Sequence, residues 1–237
     1  QPVSGLWVAK FEASNSNGKI KVQPGVQSWR SITVDSIYTN CLNYNKTLNS
    51  HMMKNDEWGA VAYLSRSKYG KNDEVTINSN SSYYTGGGSG NTYVNNGAQS
   101  TTGNVYGVYD MSGGAWEYVA GYVNNGNGNL TSYGSSLVNG DAKTKNVYTK
   151  ASTDNNTNNY NQNASKYGDA VYETSANGNT SNGSWYGDYS NFPGASGPFF
   201  ARGGNYFSGS SAGVFAFSNV SGNNSSIVSF RPVLVAL

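Results

Sequence analysis

The segment that most constrains the fold of this chain spans residues 107–120. It reads Gly-Val-Tyr-Asp-Met-Ser-Gly-Gly-Ala-Trp-Glu-Tyr-Val-Ala, so that paired glycines stand directly before an alternating run. Paired glycines indicate a backbone with positive φ or a close approach to another part of the chain. The alternation predicts a strand with Trp116, Tyr118 and Ala120 on one face. We therefore expect a sharp turn that leads at once into an ordered strand.

Apolar alternation predicts further strands on either side of this segment. Residues 6–12, 212–217 and 229–235 have the pattern, and residues 199–204 resume it after a polar stretch. Residues 26–37 fit either another strand or an irregular lead-in. Since the ends of one domain often lie close together, the first strand and the last apolar run could pair.

Residues 51–64 have the best helical pattern in the chain. One helical face carries Met53, Ala60, Val61 and Leu64, with Lys54, Trp58 and Ala62 beside it. Ser50 is a reasonable N-cap, and Gly70 is placed to end the last turn. In this interpretation Glu57 lies on the helix surface and Trp58 in the core.

Composition favours loops between these elements. Charged residues are only 12% of the 237, and Asn, Ser and 30 Gly dominate, which favours turns. AT-rich codons would produce the same excess of Asn and Ser, so composition alone leaves both explanations open. Residues 71–103 and 124–182 lack periodicity, and we interpret the first as a surface excursion and the second as a polar insert. We expect both to belong to a single domain, residues 1–237.

The scarcity of cysteine and histidine excludes several classes of function. Cys41 is the only cysteine and His51 the only histidine, which rules out a disulfide framework within the chain, most zinc sites and Ser-His-Asp catalysis. We expect His51 to be an exposed residue at the helix start. A net charge of +2 does not favour nucleic acid as a partner. No apolar run approaches a membrane span. We predict a protein without catalytic residues, metal or cofactor.

Three ordered motifs resemble the formylglycine-generating-enzyme-like (sulfatase-modifying factor) branch of the C-type lectin fold. That family carries Tyr-Asp-Met-x-Gly-Asn-Val-Trp-Glu-Trp, then Arg-Gly-Gly-Ser-Trp, then Gly-Phe-Arg. The counterparts here are Tyr-Asp-Met-Ser-Gly-Gly-Ala-Trp-Glu-Tyr at 109–118, Arg-Gly-Gly-Asn-Tyr at 202–206 and Ser-Phe-Arg at 229–231. The resemblance covers about half of the chain. It implies an α+β, C-type lectin fold that is strand-poor and loop-rich, with a few short helices.

Within that branch, residues 202–232 resemble the variable region of proteins from diversity-generating retroelements. In those systems a template is copied with errors at adenines, which scatters Asn codons to Ser, Tyr, Phe, Val, Ile and others. The resemblance implies an exchangeable, ligand-binding set: Asn205, Tyr206, Phe207, Ser208, Ser210, Ser211, Ser218, Val220, Ser221, Asn223, Asn224, Ser225, Ser226, Ile227 and Val228. It implies a scaffold set: Trp116, Glu117, Arg202, Gly203, Gly204, Phe230 and Arg231.

The cost of buried charge and the alternation of side chains predict burial or exposure for some of these residues. A lone buried charge is costly, so Glu117 is expected to pair with Arg202 or Arg231. Trp116 is expected to fill the core. For Tyr206 and Phe207 we expect exposure, whereas alternation with Phe230 could turn Val228 inward.

Departures from the parent family narrow the function. The copper-holding cysteine pair of formylglycine-generating enzymes has no counterpart near the C-terminus, and the calcium motifs Glu-Pro-Asn and Trp-Asn-Asp of sugar-binding lectins are absent. We therefore expect a non-enzymatic receptor-recognition protein, displayed outside a cell or on a virion, that binds a protein or glycan receptor. A pilin- or tail-associated structural subunit and a degenerate formylglycine-generating-type enzyme are the alternatives. Because the chain begins with Gln1, we expect an export signal or anchor to lie outside it.

Overall fold

The computed structural model describes residues 5–236, which form a mixed α+β fold. The α-helices are α1 Val34–Tyr44, α2 Asn55–Arg66, α3 Gly128–Asn139 and α4 Asn156–Gln162. The strands are β1 Gly5–Val8, β2 Ala13–Ser16, β3 Lys19–Val22, β4 His51–Met52, β5 Trp116–Asn124, β6 Asn146–Thr149, β7 Asn179–Thr180, β8 Ser190–Asn191, β9 Phe199–Gly203, β10 Gly213–Val220, β11 Val228–Ser229 and β12 Pro232–Ala236. The expectation of a strand-poor chain was wrong, although only β5 and β10 exceed five residues.

The strands form three sheets. A seven-stranded sheet has the order β11-β5-β9-β10-β8-β7, with β6 also paired to β5. A three-stranded sheet has the order β1-β12-β4, and β2 and β3 form a hairpin. The predicted pairing of the chain ends is confirmed, since Leu6 stands opposite Val235 and Val8 opposite Val233 in an antiparallel ladder. The described ends of the chain are therefore joined within one sheet.

Strand β5 carries the core on both of its faces. Tyr118, Ala120 and Tyr122 point into one apolar cluster, which α1 and α3 help to fill. Val119 and Val123 point into the other. The alternation in the sequence therefore predicted the faces of this strand correctly, because successive side chains of a strand point in opposite directions.

The helix prediction for residues 51–64 was right in kind and wrong in its bounds. His51 and Met52 pair with β12 as a strand, so α2 begins only at Asn55, where the Glu57 carboxylate accepts the Lys54 N–H at 2.9 Å. Ser50 is therefore no N-cap, and the helix ends at Arg66, before Gly70. Its buried face carries Trp58, Ala62 and Ser65, whereas Leu64 is 56% exposed.

Helix α1 was missed, because its sequence mixes polar and apolar residues without a clear start. It begins where the Thr33 hydroxyl caps the Ser36 N–H, and it buries Val34, Ile37, Tyr38 and Cys41. The segment of residues 26–37 is thus an irregular lead-in that ends in a helix.

Residues 124–182 are not a peripheral insert. They contain α3, β6 and α4, and they contribute Leu137, Tyr148 and Val171 to the buried clusters. Residues 71–103 likewise bury Val75 and Asn78. Both segments are polar in composition yet pack against the core, because a small number of apolar side chains suffices to anchor a hydrogen-bonded loop.

The described residues contain neither a candidate membrane span nor a candidate metal cluster. In residues 5–236, no helix has the length and apolar character needed to cross a membrane. Within the same range, no cluster of His, Cys, Asp and Glu has the arrangement of a metal site.

Candidate ligand-binding surface

A single buried guanidinium joins two of the three motifs found in the sequence. Arg231 is fully buried, and its Nε donates to Glu117 Oε2 at 2.7 Å while its Nη2 donates to Glu117 Oε1. The same side chain donates to the carbonyls of Ala9 at 2.9 Å and Tyr109 at 3.0 Å. The predicted ion pair of Glu117 is therefore formed with Arg231. It ties the 109–118 motif and the end of β1 to the C-terminal strand.

Two more carboxyl groups surround this ion pair. Burial raises the pKa of Glu117, and the charge of Arg231 opposes that rise. Burial, reinforced by Asp110 and Glu117, raises the pKa of Glu12 well above its usual range. Asp110 accepts the Asn78 amide at 2.9 Å and the Gly86 N–H at 2.8 Å. Arg231 is thus the cation that balances the buried carboxyl groups around it. We call the Glu117–Arg231 pair, the 109–118 motif and residues 202–204 the frame, and it depends on this cation.

Arg202 is also fully buried but has a different set of partners. Its guanidinium donates to Asn55 Oδ1 at 3.0 Å and to the carbonyls of Asp169 and Ala170 at 3.1 and 3.2 Å. Burial lowers the pKa of Arg202 to about 10. Arg202 therefore fastens β9 to α2 and to the segment after α4, rather than pairing with Glu117.

Glycines take the chain from this frame to the candidate surface. The Gly113 N–H donates to the Gly203 carbonyl at 3.0 Å, which joins the first two motifs. Gly204 has φ +74°, and a Cβ there would lie 2.6 Å from the Cα of Ala212. Both conditions favour glycine at this position.

Two loops emerge from the frame, and we call them the first loop (residues 205–212) and the second loop (residues 221–227). They are anchored to one short segment: the Tyr206 N–H donates to the Gly114 carbonyl at 2.9 Å, and the Trp116 N–H donates to the Ile227 carbonyl at 3.0 Å. Because Gly114 and Trp116 are two residues apart, the loops lie side by side. The structure thus brings the two halves of the predicted set together.

Arg30 and Tyr83 brace both loops, and the sequence offered no signal for either residue. The Arg30 guanidinium lies 3.9 Å from the Tyr83 ring centre, and its Nη1 donates to the Ser226 carbonyl at 2.6 Å. Tyr83 meets Tyr206 edge to face at 4.9 Å, and Tyr206 meets Phe207 in the same way at 5.0 Å. Tyr83 adopts φ +56°, an uncommon conformation that the surrounding contacts must hold.

A cleft of about 310 Å³ lies beside the first loop and the end of β10. Its lining consists of Trp116, Tyr189, Ser208, Ser211 and Ser218. The Trp116 and Tyr189 rings are 6.2 Å apart with planes at 73°. Trp116 was expected to fill the core, but it is half-buried and its ring forms part of this cleft. Tyr189 was not predicted, because it lies outside the three motifs in a segment without a periodic pattern.

The exchangeable set divides by burial. Five side chains are exposed, with Phe207 at 60%; the others are Ser210, Asn223, Asn224 and Ser226. Eight are half-buried: Tyr206, Ser208, Ser211, Ser218, Val220, Ser221, Ser225 and Ile227. Asn205 and Val228 are 1% and 2% exposed, so neither is available to a ligand.

Physical reasons explain the residues that turn inward. The Asn205 carboxamide accepts the Ser208 hydroxyl at 2.8 Å and so closes the turn that begins the first loop. Val228 pairs with Trp116 in β11 and packs in the core. Val220 and Ile227 pack against the same apolar cluster, so serine at either position would destabilise the fold. Their contribution to ligand contact is correspondingly smaller than the sequence implied.

A second concave site lies elsewhere and contains the only histidine. A cavity of about 930 Å³ is lined in part by His51, Lys54, Glu57 and Lys143. His51 and Glu57 are buried, contrary to the expectation that both are exposed. His51 Nε2 lies 2.8 Å from Glu57 Oε1, and Nδ1 lies 3.0 Å from the Asn49 carbonyl. Because each ring nitrogen faces an acceptor, neither is free to accept a proton from a substrate, and the pair fastens β4 to α2.

Replacing His51 with glutamine should cost more stability at pH 6 than at pH 9. Burial alone lowers the pKa of His51, but Glu57 outweighs it and the net pKa is raised, with Lys54 opposing. The charged pair therefore contributes fully below the unfolded pKa of about 6.5, and the contribution is lost as pH rises through the folded pKa. We expect a difference in free energy of unfolding of about 1 kcal/mol at pH 6 that shrinks by pH 9. Urea unfolding measures it, and a difference that grows with pH contradicts it.

No protein-family model matches this sequence, and a search of curated proteins finds no significant match. The class that the described residues define is therefore a mixed α+β domain with a framed pair of surface loops.

Proposed function

We propose that this chain is a non-enzymatic receptor-recognition protein of the C-type lectin fold, in the formylglycine-generating-enzyme-like branch. Its first and second loops form the binding surface, and a diversity-generating retroelement exchanges their side chains through mutation at adenines. The protein acts outside the cell or on a virion, where it binds a protein or glycan receptor.

One observation carries this proposal: a rigid, charge-bearing frame supports two adjacent loops whose outward side chains contribute little to the core. Arg231 and Arg202 lie fully buried beneath the surface, whereas the outward positions are mostly Ser and Asn with Tyr206 and Phe207 among them. Tyr supplies contact area with few rotatable bonds, while Ser and Asn supply adaptable hydrogen bonds. Support and recognition are therefore carried by different residues.

The pairing of the chain ends and the convergence of the motifs support the fold assignment. Strands β1 and β12 lie side by side. The 109–118 motif contacts Arg231 of the third motif, and it contacts the 202–206 motif through the Gly113 N–H and the Gly203 carbonyl. A set of motifs that matched the family only by chance would not be expected to lie in contact with one another.

A display library tests the proposal. Randomise the eleven outward positions that do not pack against the core: Tyr206, Phe207, Ser208, Ser210, Ser211, Ser218, Ser221, Asn223, Asn224, Ser225 and Ser226. We expect most displayed clones to resist protease as the parent does, and selection on unrelated purified proteins to yield specific binders.

A matched library that randomises eleven exposed positions between residues 64 and 95 provides the control. It should fold equally well and yield fewer binders, because none of those positions lines the cleft beside the first loop. Widespread protease sensitivity in the first library, or equal yields from both, would contradict the proposal.

The diversification mechanism has its own test, which is to sequence the neighbouring DNA. We expect a near-copy of codons 202–232 that differs mainly at adenines, close to a reverse transcriptase gene.

A further inference from the structure

The cleft beside the first loop has a floor that diversification of residues 202–232 would leave unchanged. Trp116 and Tyr189 form that floor, and both lie outside the exchangeable segment. The walls are Ser208, Ser211 and Ser218, all inside it. If the loops are exchanged, every variant therefore keeps the same pair of aromatic rings between changing neighbours.

Backbone and side-chain bonds hold the Tyr189 ring in place. Its N–H donates to the Ser211 carbonyl at 2.9 Å, and its carbonyl accepts the Phe217 N–H at 2.9 Å. Its hydroxyl accepts the Asn191 amide at 3.2 Å. Trp116 is held by its backbone, because its N–H donates to the Ile227 carbonyl at 3.0 Å and it pairs with Val228 of β11, and its side chain packs against the core. An aromatic pair fixed in this way loses little conformational entropy on binding.

The chemistry of the cleft favours an apolar occupant. No charged side chain is among its lining residues, so a charged group would lose its hydration without gaining a partner. The Ser208 hydroxyl already donates to Asn205 at 2.8 Å. The lining also lacks the carboxylate and carboxamide groups whose paired acceptors read the hydroxyls of a sugar. A volume of about 310 Å³ is at the small end for a ligand site and suits a single side chain.

We propose that Trp116 and Tyr189 are a constant anchor of the binding surface, which accepts one uncharged apolar or aromatic side chain projecting from a protein ligand. This inference rests on the proposed function and adds that the constant and the exchanged residues have different roles in binding. The constant rings supply affinity for a side chain that most protein surfaces can offer. The exchanged residues at 208, 211 and 218 decide which neighbours of that side chain are tolerated.

Fragment titration tests the anchor without knowledge of the natural ligand. In the ¹⁵N-labelled protein, the indole N–H signal of Trp116 is one of five, and the variant Trp116→Phe assigns it by its loss. The probes are N-acetyl-L-phenylalaninamide, N-acetyl-L-lysinamide and methyl β-D-glucopyranoside. We expect a saturable shift of the Trp116 signal with the phenylalanine probe and none with the other two.

Two substitutions complete the test. Tyr189→Ser should weaken the response to the phenylalanine probe by about tenfold, as removal of a central aromatic contact does in protein interfaces. Tyr106→Ser removes a tyrosine that is 87% exposed and does not line this cleft, so it should change nothing. Backbone amide spectra establish that both variants are folded.

The outcomes separate this inference from the proposed function. No response to the phenylalanine probe, a response to the glucoside, or an unchanged response in a folded Tyr189→Ser variant overturns the anchor. None of these results affects the recovery of binders from the loop library. If that library failed and the fragment result were positive, the proposed function would be overturned. The cleft would then remain only as a small site for apolar groups.

Discussion

Replacing Arg231 with methionine will destabilise the protein by about 3–5 kcal/mol, the usual cost of breaking a buried ion pair from one side. The substitution leaves Glu117 buried beside Asp110 and Glu12 without their cation. It also removes donors to the Ala9 and Tyr109 carbonyls. Urea unfolding at pH 7.5 measures the loss. We expect it to be smaller at pH 5, because the folded variant gains stability when these carboxyl groups take up protons.

The double variant Glu117→Gln, Arg231→Met is the control for the charge. It should be less destabilised than the single Arg231 variant, because no uncompensated carboxylate remains at position 117. Arg231→Lys keeps the charge but loses the fork that bonds Glu117 at two atoms, and it should lie between the wild type and Arg231→Met. An Arg231→Met protein within about 1 kcal/mol of the wild type would show that the frame does not depend on this pair.

Replacing Gly204 with alanine will cost about 2–4 kcal/mol, combining left-handed backbone strain with overpacking. The residue has φ +74°, and the new Cβ would lie 2.6 Å from both Cα and Cβ of Ala212. Since Ala212 ends the first loop, either the loop moves or the frame does. Thermal unfolding measures the stability, and the Trp116 indole signal reports whether the cleft has changed.

Gly209→Ala is the matched control in the same loop. Gly209 also has a positive φ, +57°, but nothing lies within 4 Å of the position its Cβ would take. It should cost only the backbone term, about 1 kcal/mol. Equal losses in the two variants would mean that contact with Ala212 has no part in holding the loop.

The sequence predicted the buried faces of strands better than those of helices. Alternation predicted both faces of β5 and the strand at residues 212–217, because successive side chains of a strand point to opposite faces, which is a local property of the chain. Periodicity misplaced the buried face of α2, where Trp58 and Ala62 are covered and Leu64 is not. A helix of mixed composition offers several apolar faces, and only its neighbours select one.

The candidate surface shows the same limit. Residues 202–232 indicated both loops, yet Asn205 and Val228 turned inward, and Val220 and Ile227 packed against the core. Which side of a loop faces the core depends on what packs beneath it, and in this protein that includes β5, which is remote in the chain.

The sequence by itself determined the frame: the glycine pairs, the buried Glu117, and two arginines whose charge required partners. These follow from constraints on single residues, namely backbone conformation and the cost of a lone buried charge. Only the tertiary structure decided that Arg231 rather than Arg202 pairs with Glu117, that Arg30 and Tyr83 brace the loops, and that Tyr189 joins Trp116 in the cleft. Each of these contacts joins residues more than 50 positions apart, and no local pattern in the sequence indicates which distant residues will meet.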